Sequence, residues 1–328
     1  NQASLFLFGE ADPKIVCFVA AILFFDVLWS IHLLILRAEE KPVQFATISL
    51  LNACLTLGFN AYFVVYLNEG VMGVVKSNLI TSCFLFSVTF PIIFSRISFT
   101  CLSKTKWKKM VHFGIPFLPA GFFSMILELS DRYFLKYFTD LETVGIYNAG
   151  YKVGMFMLLL VMAFNMSWQP YFLKKGNSET EFIAKTGTFF LWIMTFFWLL
   201  LVFLSKELVQ LKLGGYSFFG EEFWPAIQIV PYIAGAYVFH GLYLVQLPGV
   251  FLKEKTGYVA IIQGLGAICN IILNFLMIPI YGIIGAAVAT TISFFLMAFT
   301  LFFINKKIFP ISYEKKNISI ILISALSI

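Results

Sequence analysis

Residues 251–274, "FLKEKTGYVAIIQGLGAICNIILN", begin with a short basic loop and continue as a long apolar run. A run of about 20 apolar residues is long enough for a helix to cross the hydrocarbon core of a bilayer. Similar runs recur along the 328 residues, of which 60% are hydrophobic and 12% charged, against about 25% charged residues in soluble domains. Backbone groups in lipid must bond to one another, and these runs do not alternate as barrel strands do. The sequence therefore predicts an all-α polytopic membrane protein.

The hydropathy predicts nine complete spans and the start of a tenth near residue 318. The nine spans cover about 14–36, 43–67, 71–95, 110–130, 144–172, 183–204, 224–247, 257–278 and 282–304. One set of alternating loops carries 16 of the 23 lysines and arginines, and the other set carries five. Because cytoplasmic loops collect basic residues, the first set is predicted to face the cytoplasm.

The opening pattern has a second copy at residues 36–60, "LRAEEKPVQFATISLLNACLTLGFN", in which Lys41 corresponds to Lys255 at an offset of 214. After a gap of two residues, "GVMGVVKSNLITS" at 70–82 corresponds to "GIIGAAVATTISF" at 282–294. Corresponding spans are six apart and therefore share one orientation. This predicts two pseudo-symmetric lobes related by an axis along the membrane normal, an architecture typical of transporters with a substrate site between the lobes.

Three further stretches carry a resemblance to a known family: "LLILRAEEKP" (33–42), "SDRYFLKYFTDLETVGIYNAGYK" (130–152) and "FNMSWQPYF" (164–172). With these, the chain resembles the polysaccharide flippases of bacterial surface-glycan pathways. They belong to the superfamily that also holds the lipid II flippase and the multidrug and toxin extrusion antiporters. The resemblance covers essentially the whole chain and is more specific for the superfamily than for the substrate.

The resemblance implies two six-helix lobes, of which this chain holds a truncated part. Residues 1–100 would form the end of the N-terminal lobe, spans four to six of the family plan. Residues 101–309 would form the C-terminal lobe, spans seven to twelve, and residues 310–328 would begin an additional span. Three spans are then expected before Asn1.

The resemblance also implies a function in the cell envelope. A flippase would move polyprenyl-diphosphate-linked oligosaccharide from the inner to the outer leaflet of the bacterial inner membrane by alternating access. The product would supply lipopolysaccharide or other surface polysaccharide biosynthesis. The expected partners are this lipid-linked substrate, the bilayer, and protons or sodium for coupling. No cofactor or metal is expected. A nucleic-acid partner is not expected either, because the basic residues lie in short loops between spans.

Ionisable side chains within apolar spans are costly in a bilayer and are therefore candidates for function. Lys152 follows "GIYNAGY" near the start of a span, where the resemblance implies an arginine lining the cavity of the lipid II flippase. Arg132 lies four residues after Glu128 and directly after Asp131, so these two carboxylates are expected to support it. Lys76 lies near the start of the third span. We predict that the three cations bind substrate phosphates, the alternative being cations that extend to the membrane surface.

Two other pairs are candidates for energy coupling and for motion. Asp26 and His240 occupy corresponding positions of the repeat and could carry protons, although the pattern favours buried polar groups that are hydrogen-bonded to a neighbouring helix. Pro116 and Pro119 interrupt the fourth predicted span and are predicted to form a hinge or a static kink.

Aromatic side chains beside the candidate cations could stack on a sugar. They are Tyr147, Tyr151, Trp168 and Tyr171.

Two other functions compete with the flippase. An ion-coupled antiporter for organic cations would favour acidic residues in its cavity, whereas the candidate side chains here are cations. A membrane glycan polymerase or ligase would need a sizeable external loop with acid–base groups. The longest predicted external loop, about 205–223, has no such constellation, and the chain carries no HExxH, GxSxG or P-loop motif. The sequence therefore predicts a transporter and not an enzyme.

Overall fold

The computed structural model describes residues 13–97, 103–213, 216–217, 219–311, 314 and 316–317. Helices make up nearly all of this part of the chain. They are α1 (Pro13–Ala38), α2 (Pro42–Asn60) with a π-helical continuation (Ala61–Tyr66), α3 (Gly70–Phe94), α4 (Lys104–Gly114), α5 (Phe117–Phe138), α6 (Leu141–Gly154), α7 (Phe156–Lys175), α8 (Thr180–Val209), a 3-10 helix (Glu221–Ile229), α9 (Val230–Leu252) and α10 (Gly257–Ile308). A two-residue strand β1 (Lys212–Leu213) pairs antiparallel with β2 (Tyr216–Ser217).

Helix α10 is broken at Gly282, whose φ of 54° and ψ of −130° are not helical. We call its two parts α10a (257–281) and α10b (283–308). Among the described residues, eight helical stretches are long and apolar enough to cross a membrane, and the broken α10 provides two crossings. The predicted all-α polytopic fold is confirmed, with each of the nine predicted spans falling in one crossing. The predicted tenth span lies outside the described residues.

Two predicted span boundaries differ from the structure. The fourth span was predicted to end at residue 130, but α5 continues to Phe138 because Asp131 and Arg132 are bonded to neighbouring side chains within the protein. The fifth span was predicted as one helix, but it is divided at Met155 into α6 and α7. The two prolines of the fourth span lie at the break between α4 and α5: Pro116 precedes the first residue of α5 and Pro119 lies in its first turn. Proline is tolerated there because the first N–H groups of a helix have no intrahelical partner.

The chain divides into two compact units, Asn1–Ser103 and Lys104–Ile328. In the first unit α1 packs against α3, and α2 packs on both. In the second unit α9 packs against α7, α8 and α10, while α5 packs along α10. The second unit holds a large buried core that includes Phe172, Met194, Ile233 and Ile262. Helix α9 is thus enclosed on several sides, whereas α2 has no buried residue.

The sequence repeat has a counterpart in the backbone of each unit. Glu40 and Glu254, at the offset of 214, adopt φ angles of 55° and 52°, which are uncommon for residues with a side chain. The next amide closes the turn in the same way in both units. Lys41 N–H donates to the carbonyl oxygen of Leu36, and Lys255 N–H donates to that of Val250, each at 3.0 Å. Each basic loop is therefore the same turn at the end of a helix.

The second half of the repeat depends on its glycines. Gly70 and Gly282 begin the corresponding helices with φ angles of 56° and 54°, a conformation that glycine adopts without steric cost. Three residues later, a Cβ on Gly73 would lie 3.1 Å from the backbone of Phe63, and one on Gly285 would lie 2.5 Å from the carbonyl oxygen of Met277. Each GxxG motif therefore allows its helix to pack tightly against the preceding one.

We expect Gly285→Ala to lower the free energy of unfolding by about 1–3 kcal/mol, because the new methyl group overpacks the turn. Gly257→Ala is the matched control, since a Cβ there meets nothing within 4 Å. Thermal unfolding of the purified protein in detergent measures both. Equal melting temperatures for the two variants would contradict the tight packing of α10a on α10b.

Candidate functional site

A carboxylate lies in the interior of the second unit. Asp131 in α5 has no exposed surface. Its Oδ2 accepts hydrogen bonds from the hydroxyl of Tyr147 at 2.6 Å and from Thr290 Oγ1 at 2.8 Å, and its Oδ1 accepts from Asn274 Nδ2 at 2.7 Å. The donors come from α6, α10b and α10a and are all neutral. The carboxylate therefore holds three helical segments against α5 by hydrogen bonds.

The network around Asp131 extends along the contact of α5 with α10a. Ser130 Oγ donates to Asn270 Oδ1, which also accepts from Asn274 Nδ2 at 2.9 Å. Two atoms of this network, Asn270 Nδ2 and Asn274 Oδ1, are buried without a hydrogen-bond partner among the described residues. An unpaired buried polar group is costly, so these atoms are places where a water molecule or an ion would be stabilised.

Helix α6 is fixed in place at its start and along one face. The backbone N–H of Thr143 donates to Asp140 Oδ1 at 2.7 Å, which caps the helix and holds the pKa of Asp140 below its usual range. A Cβ on Gly150 would lie 2.5 Å from the carbonyl oxygen of Ala226. The glycine therefore lets α6 pack closely on the 3-10 helix before α9.

Arg132 is adjacent to Asp131 in the sequence but has different partners. Its Nε donates to Asn148 Oδ1 at 2.7 Å, and another guanidinium nitrogen donates to the carbonyl oxygen of Glu128. The guanidinium carbon lies 4.7 Å from the centre of the Tyr151 ring, a cation–π arrangement. These partners are uncharged groups, so they orient the positive charge of Arg132 without neutralising it.

Lys152 lies beside this arginine site. It is exposed on α6, four residues after Asn148, and residues four apart lie on the same helix face, about 5–6 Å apart at Cβ. Arg132, which bonds to Asn148, and Lys152 are thus brought to one side of α6. Glu128 is exposed one turn before Arg132 on α5. Of the two carboxylates predicted to support Arg132, Asp131 instead bonds to Tyr147, Asn274 and Thr290.

The third candidate cation is in the first unit. Lys76 Nζ lies 2.8 Å from both carboxylate oxygens of Glu69, which precedes α3. Both side chains are partly exposed. The charge of Lys76 is therefore balanced locally by an ion pair.

The two candidate coupling residues have different environments. Asp26 Oδ1 accepts from Trp29 Nε1 at 2.9 Å and from Ser82 Oγ at 2.6 Å, which links α1 to α3. His240 packs on the ring of Phe294 at 4.8 Å between centroids, and its Nδ1 is buried without a partner among the described residues. Ser82 and Phe294 correspond in the repeat. The same contact is thus polar in the first unit and aromatic in the second.

Three of the four aromatic side chains that were expected to stack on sugar are packed in the core. Tyr147 has no exposed surface and Trp168 only 4%, and Trp168 Nε1 donates to the carbonyl oxygen of Val245 at 2.9 Å. Tyr151 is buried beneath Arg132 and accepts a hydrogen bond from the hydroxyl of Tyr237 at 3.1 Å. Tyr147 and Tyr151 therefore contact the polar groups of the site, whereas Trp168 joins α7 to α9.

Sequence reasoning missed four residues of the site: Asn148, Asn270, Asn274 and Thr290. The two asparagines of α10a are four residues apart within an apolar span, so they share one helix face. That spacing was the available signal, although it does not identify the partner. No group of three or more histidine, cysteine, aspartate or glutamate side chains that could hold a metal occurs in the part of the chain that the structure describes.

A comparison with protein families finds a match for the part of the chain that runs from α1 to the end of α7. Residues 16–175 match the family described as polysaccharide biosynthesis protein. The matched region covers slightly less than half of the 328 residues. The match confirms the resemblance found in the sequence.

A similar protein is the uncharacterized membrane protein MJ1068 of Methanocaldococcus jannaschii, 27% identical over 216 residues. That alignment covers 62% of this chain and 41% of the relative, so the chain spans less than half of the relative's length.

Solved structures share the fold. A mutant of the Vibrio cholerae MATE transporter VcmN superposes with a TM-score of 0.75 at 16% identity, covering 93% of this chain and 73% of that one. The lipid II flippase MurJ in its inward closed conformation superposes with a TM-score of 0.63 at 20% identity, covering 96% and 66%. At these identities the likeness establishes the polytopic helical architecture of a membrane protein.

We expect Tyr147→Phe to destabilise the protein by about 1–3 kcal/mol, because the buried carboxylate of Asp131 loses a donor. Tyr133→Phe is the matched control, since Tyr133 is exposed on the same helix as Asp131. Chemical or thermal unfolding in detergent measures the difference. If Tyr147→Phe unfolds like Tyr133→Phe, the hydrogen bond to Asp131 does not hold α6 in place.

Proposed function

We propose that this chain is part of a flippase that translocates polyprenyl-diphosphate-linked oligosaccharide from the inner to the outer leaflet of a bacterial inner membrane. The product would supply surface polysaccharide biosynthesis. The observation that carries the proposal is that Arg132 of α5 bonds to Asn148 of α6, four residues before the exposed Lys152, and that the partners around the arginine are uncharged. A positive charge is costly next to lipid unless something balances it. A diphosphate has the charge and the acceptor oxygens to do so.

The comparisons support the same class of substrate. The family that residues 16–175 match is described by polysaccharide biosynthesis, and one of the structural neighbours is named as a lipid II flippase. A lipid-linked glycan carries its charge in the diphosphate and its hydrophobic part in the prenyl chain. A cation site on apolar helices therefore suits it, because the prenyl chain remains in the bilayer.

The alternative is an ion-coupled antiporter for organic cations, which the superposition on a MATE transporter favours at the level of fold. Such a substrate requires an accessible negative charge. In the second unit Asp131 is enclosed and bonded to three donors, while Arg132 and Lys152 present positive charge. The arrangement of charges therefore favours an anionic substrate.

We further propose that Asp131 couples transport to protons or sodium. A carboxylate enclosed by neutral donors is stabilised either by taking up a proton or by binding a cation. The hydroxyl and amide oxygens of Thr290 and Asn274 are hard ligands, as a small monovalent cation prefers. Asp26, which bonds to Ser82 and Trp29, is the competing coupling residue.

We expect Arg132→Ala and Lys152→Ala each to lower the rate of flipping at limiting substrate by about 10-fold or more, because a charge-assisted hydrogen bond contributes about 1.5–3 kcal/mol. Arg132→Lys should keep part of the rate, since lysine retains the charge but loses the planar fork. Lys136→Ala, at an exposed position on α5, is the matched control. The measurement uses the full-length protein in liposomes and a fluorescent polyprenyl-diphosphate oligosaccharide.

The same assay distinguishes the two substrate classes. Wild-type rates in both alanine variants would contradict the anion site. Export of an organic cation, without flipping of the lipid-linked sugar, would establish the antiporter instead.

We expect Asp131→Asn to remove the dependence of flipping on an imposed proton or sodium gradient, because the amide neither takes up a proton nor balances a cation. Asp26→Asn serves as the comparison. Gradient-driven and gradient-free rates of the two variants are measured in liposomes that differ only in the ion imposed. Loss of coupling in Asp26→Asn with normal coupling in Asp131→Asn would transfer the role to the first unit.

A further inference from the structure

Helix α4, "KTKWKKMVHFG" at Lys104–Gly114, differs in composition from every span. It contains four lysines and His112 within 11 residues, and none of its residues is buried. No acidic residue occurs in the sequence between Glu69 and Glu128. The helix therefore carries a dense positive charge, and its own stretch of sequence contains no carboxylate.

The length of the next helix keeps α4 out of the hydrocarbon. Helix α5 has 22 residues, and at 1.5 Å per residue it is about 33 Å long, enough to cross the bilayer core by itself. The chain turns at Ile115 and Pro116 between the two helices. Helix α4 is thus an additional segment at the end of a complete crossing.

Two contacts fix α4 to the end of α9 and to the loop between α9 and α10. Thr256 Oγ1 donates to the carbonyl oxygen of Phe113 at 2.9 Å, and the ring of Phe113 lies 6.2 Å from that of Phe251. This loop carries Lys253 and Lys255 and belongs to the basic, cytoplasmic set. The C-terminal end of α4 is therefore fixed at the cytoplasmic surface of the second unit.

Helix α4 is amphipathic. Met110 and Val111 lie three and four residues after Trp107, so the three side chains share one face. The Trp107 side chain is 68% exposed and that of Met110 is 70% exposed. Lys109 and His112, three residues apart, lie on the opposite side, and Lys104 and Lys108 flank the apolar face. An exposed apolar face with tryptophan, next to a lysine face, is the pattern of a helix that lies in the membrane interface.

We propose that α4 is a membrane-surface helix that binds the anionic phospholipid headgroups of the cytoplasmic leaflet. Its lysines contact the headgroup phosphates, while Trp107 and Met110 enter the boundary between headgroups and acyl chains. The occupant follows from charge complementarity and from position, because α4 continues directly into a spanning helix at the membrane surface. The site is separate from the proposed substrate site and does not depend on transport.

The depth of α4 is tested in the full-length protein in nanodiscs, with native cysteines replaced by serine. A bimane label is attached at Met110→Cys or, as the control on another face, at Thr105→Cys. Lipid carrying a nitroxide on its upper acyl chain quenches the label only if that residue enters the bilayer. We expect quenching at position 110 and little at position 105. Equal quenching at both positions, or none at position 110, would overturn the proposal.

The role of charge is tested by comparing phosphatidylcholine nanodiscs with discs that contain 30% phosphatidylglycerol, using the label at position 110. We expect more quenching with the anionic lipid. Lys108→Gln/Lys109→Gln should lower the ratio of inserted to free helix by about 5-fold per lysine, roughly 25-fold for the pair. Lys306→Gln/Lys307→Gln, another exposed lysine pair at a cytoplasmic helix end, is the matched control. Identical quenching in both lipids, or an equal loss in both variants, would overturn recognition of the anionic headgroup.

Discussion

The enclosure of one carboxylate within apolar helices constrains the whole second unit. Asp131 has no exposed surface, so its oxygens must find donors inside the protein. Tyr147, Asn274 and Thr290 supply them from α6, α10a and α10b. If any of these segments moved away, a buried charge would lose a partner. The positions of α5, α6 and both halves of α10 are therefore set together.

The candidate anion site depends on this arrangement. Successive residues of a helix point about 100° apart, so Asp131 is directed inward while Arg132 reaches the side of α6. There Asn148 and Tyr151 hold the guanidinium. Helix α6 thus contacts both Asp131 and Arg132. Its Tyr147 donates a hydrogen bond to the carboxylate, and its Asn148 accepts one from the arginine. The groups that stabilise the unit also orient its positive charge, so stability and function are linked through α6.

The internal repeat is retained in the backbone more fully than in the side chains. Both units have the same turn at their basic loop, and both have a glycine of positive φ before a tightly packed helix. The contact between Asp26 and Ser82 in the first unit corresponds to the contact between His240 and Phe294 in the second. A shared framework therefore carries different chemistry in the two units, because side-chain identity changes without altering the turns that build the framework.

The sequence by itself determined the helical class, the nine spans, the basic loops and the repeat, because each depends on local hydropathy, charge and glycine spacing. It also drew attention to Arg132 and Lys152, since charges in apolar spans are rare. It suggested that Asp131 would support Arg132, but the structure directs Asp131 to other partners. Asn274 and Thr290 lie 143 and 159 residues from Asp131. Only the tertiary structure could select them, because contacts between distant helices depend on packing and leave no local pattern.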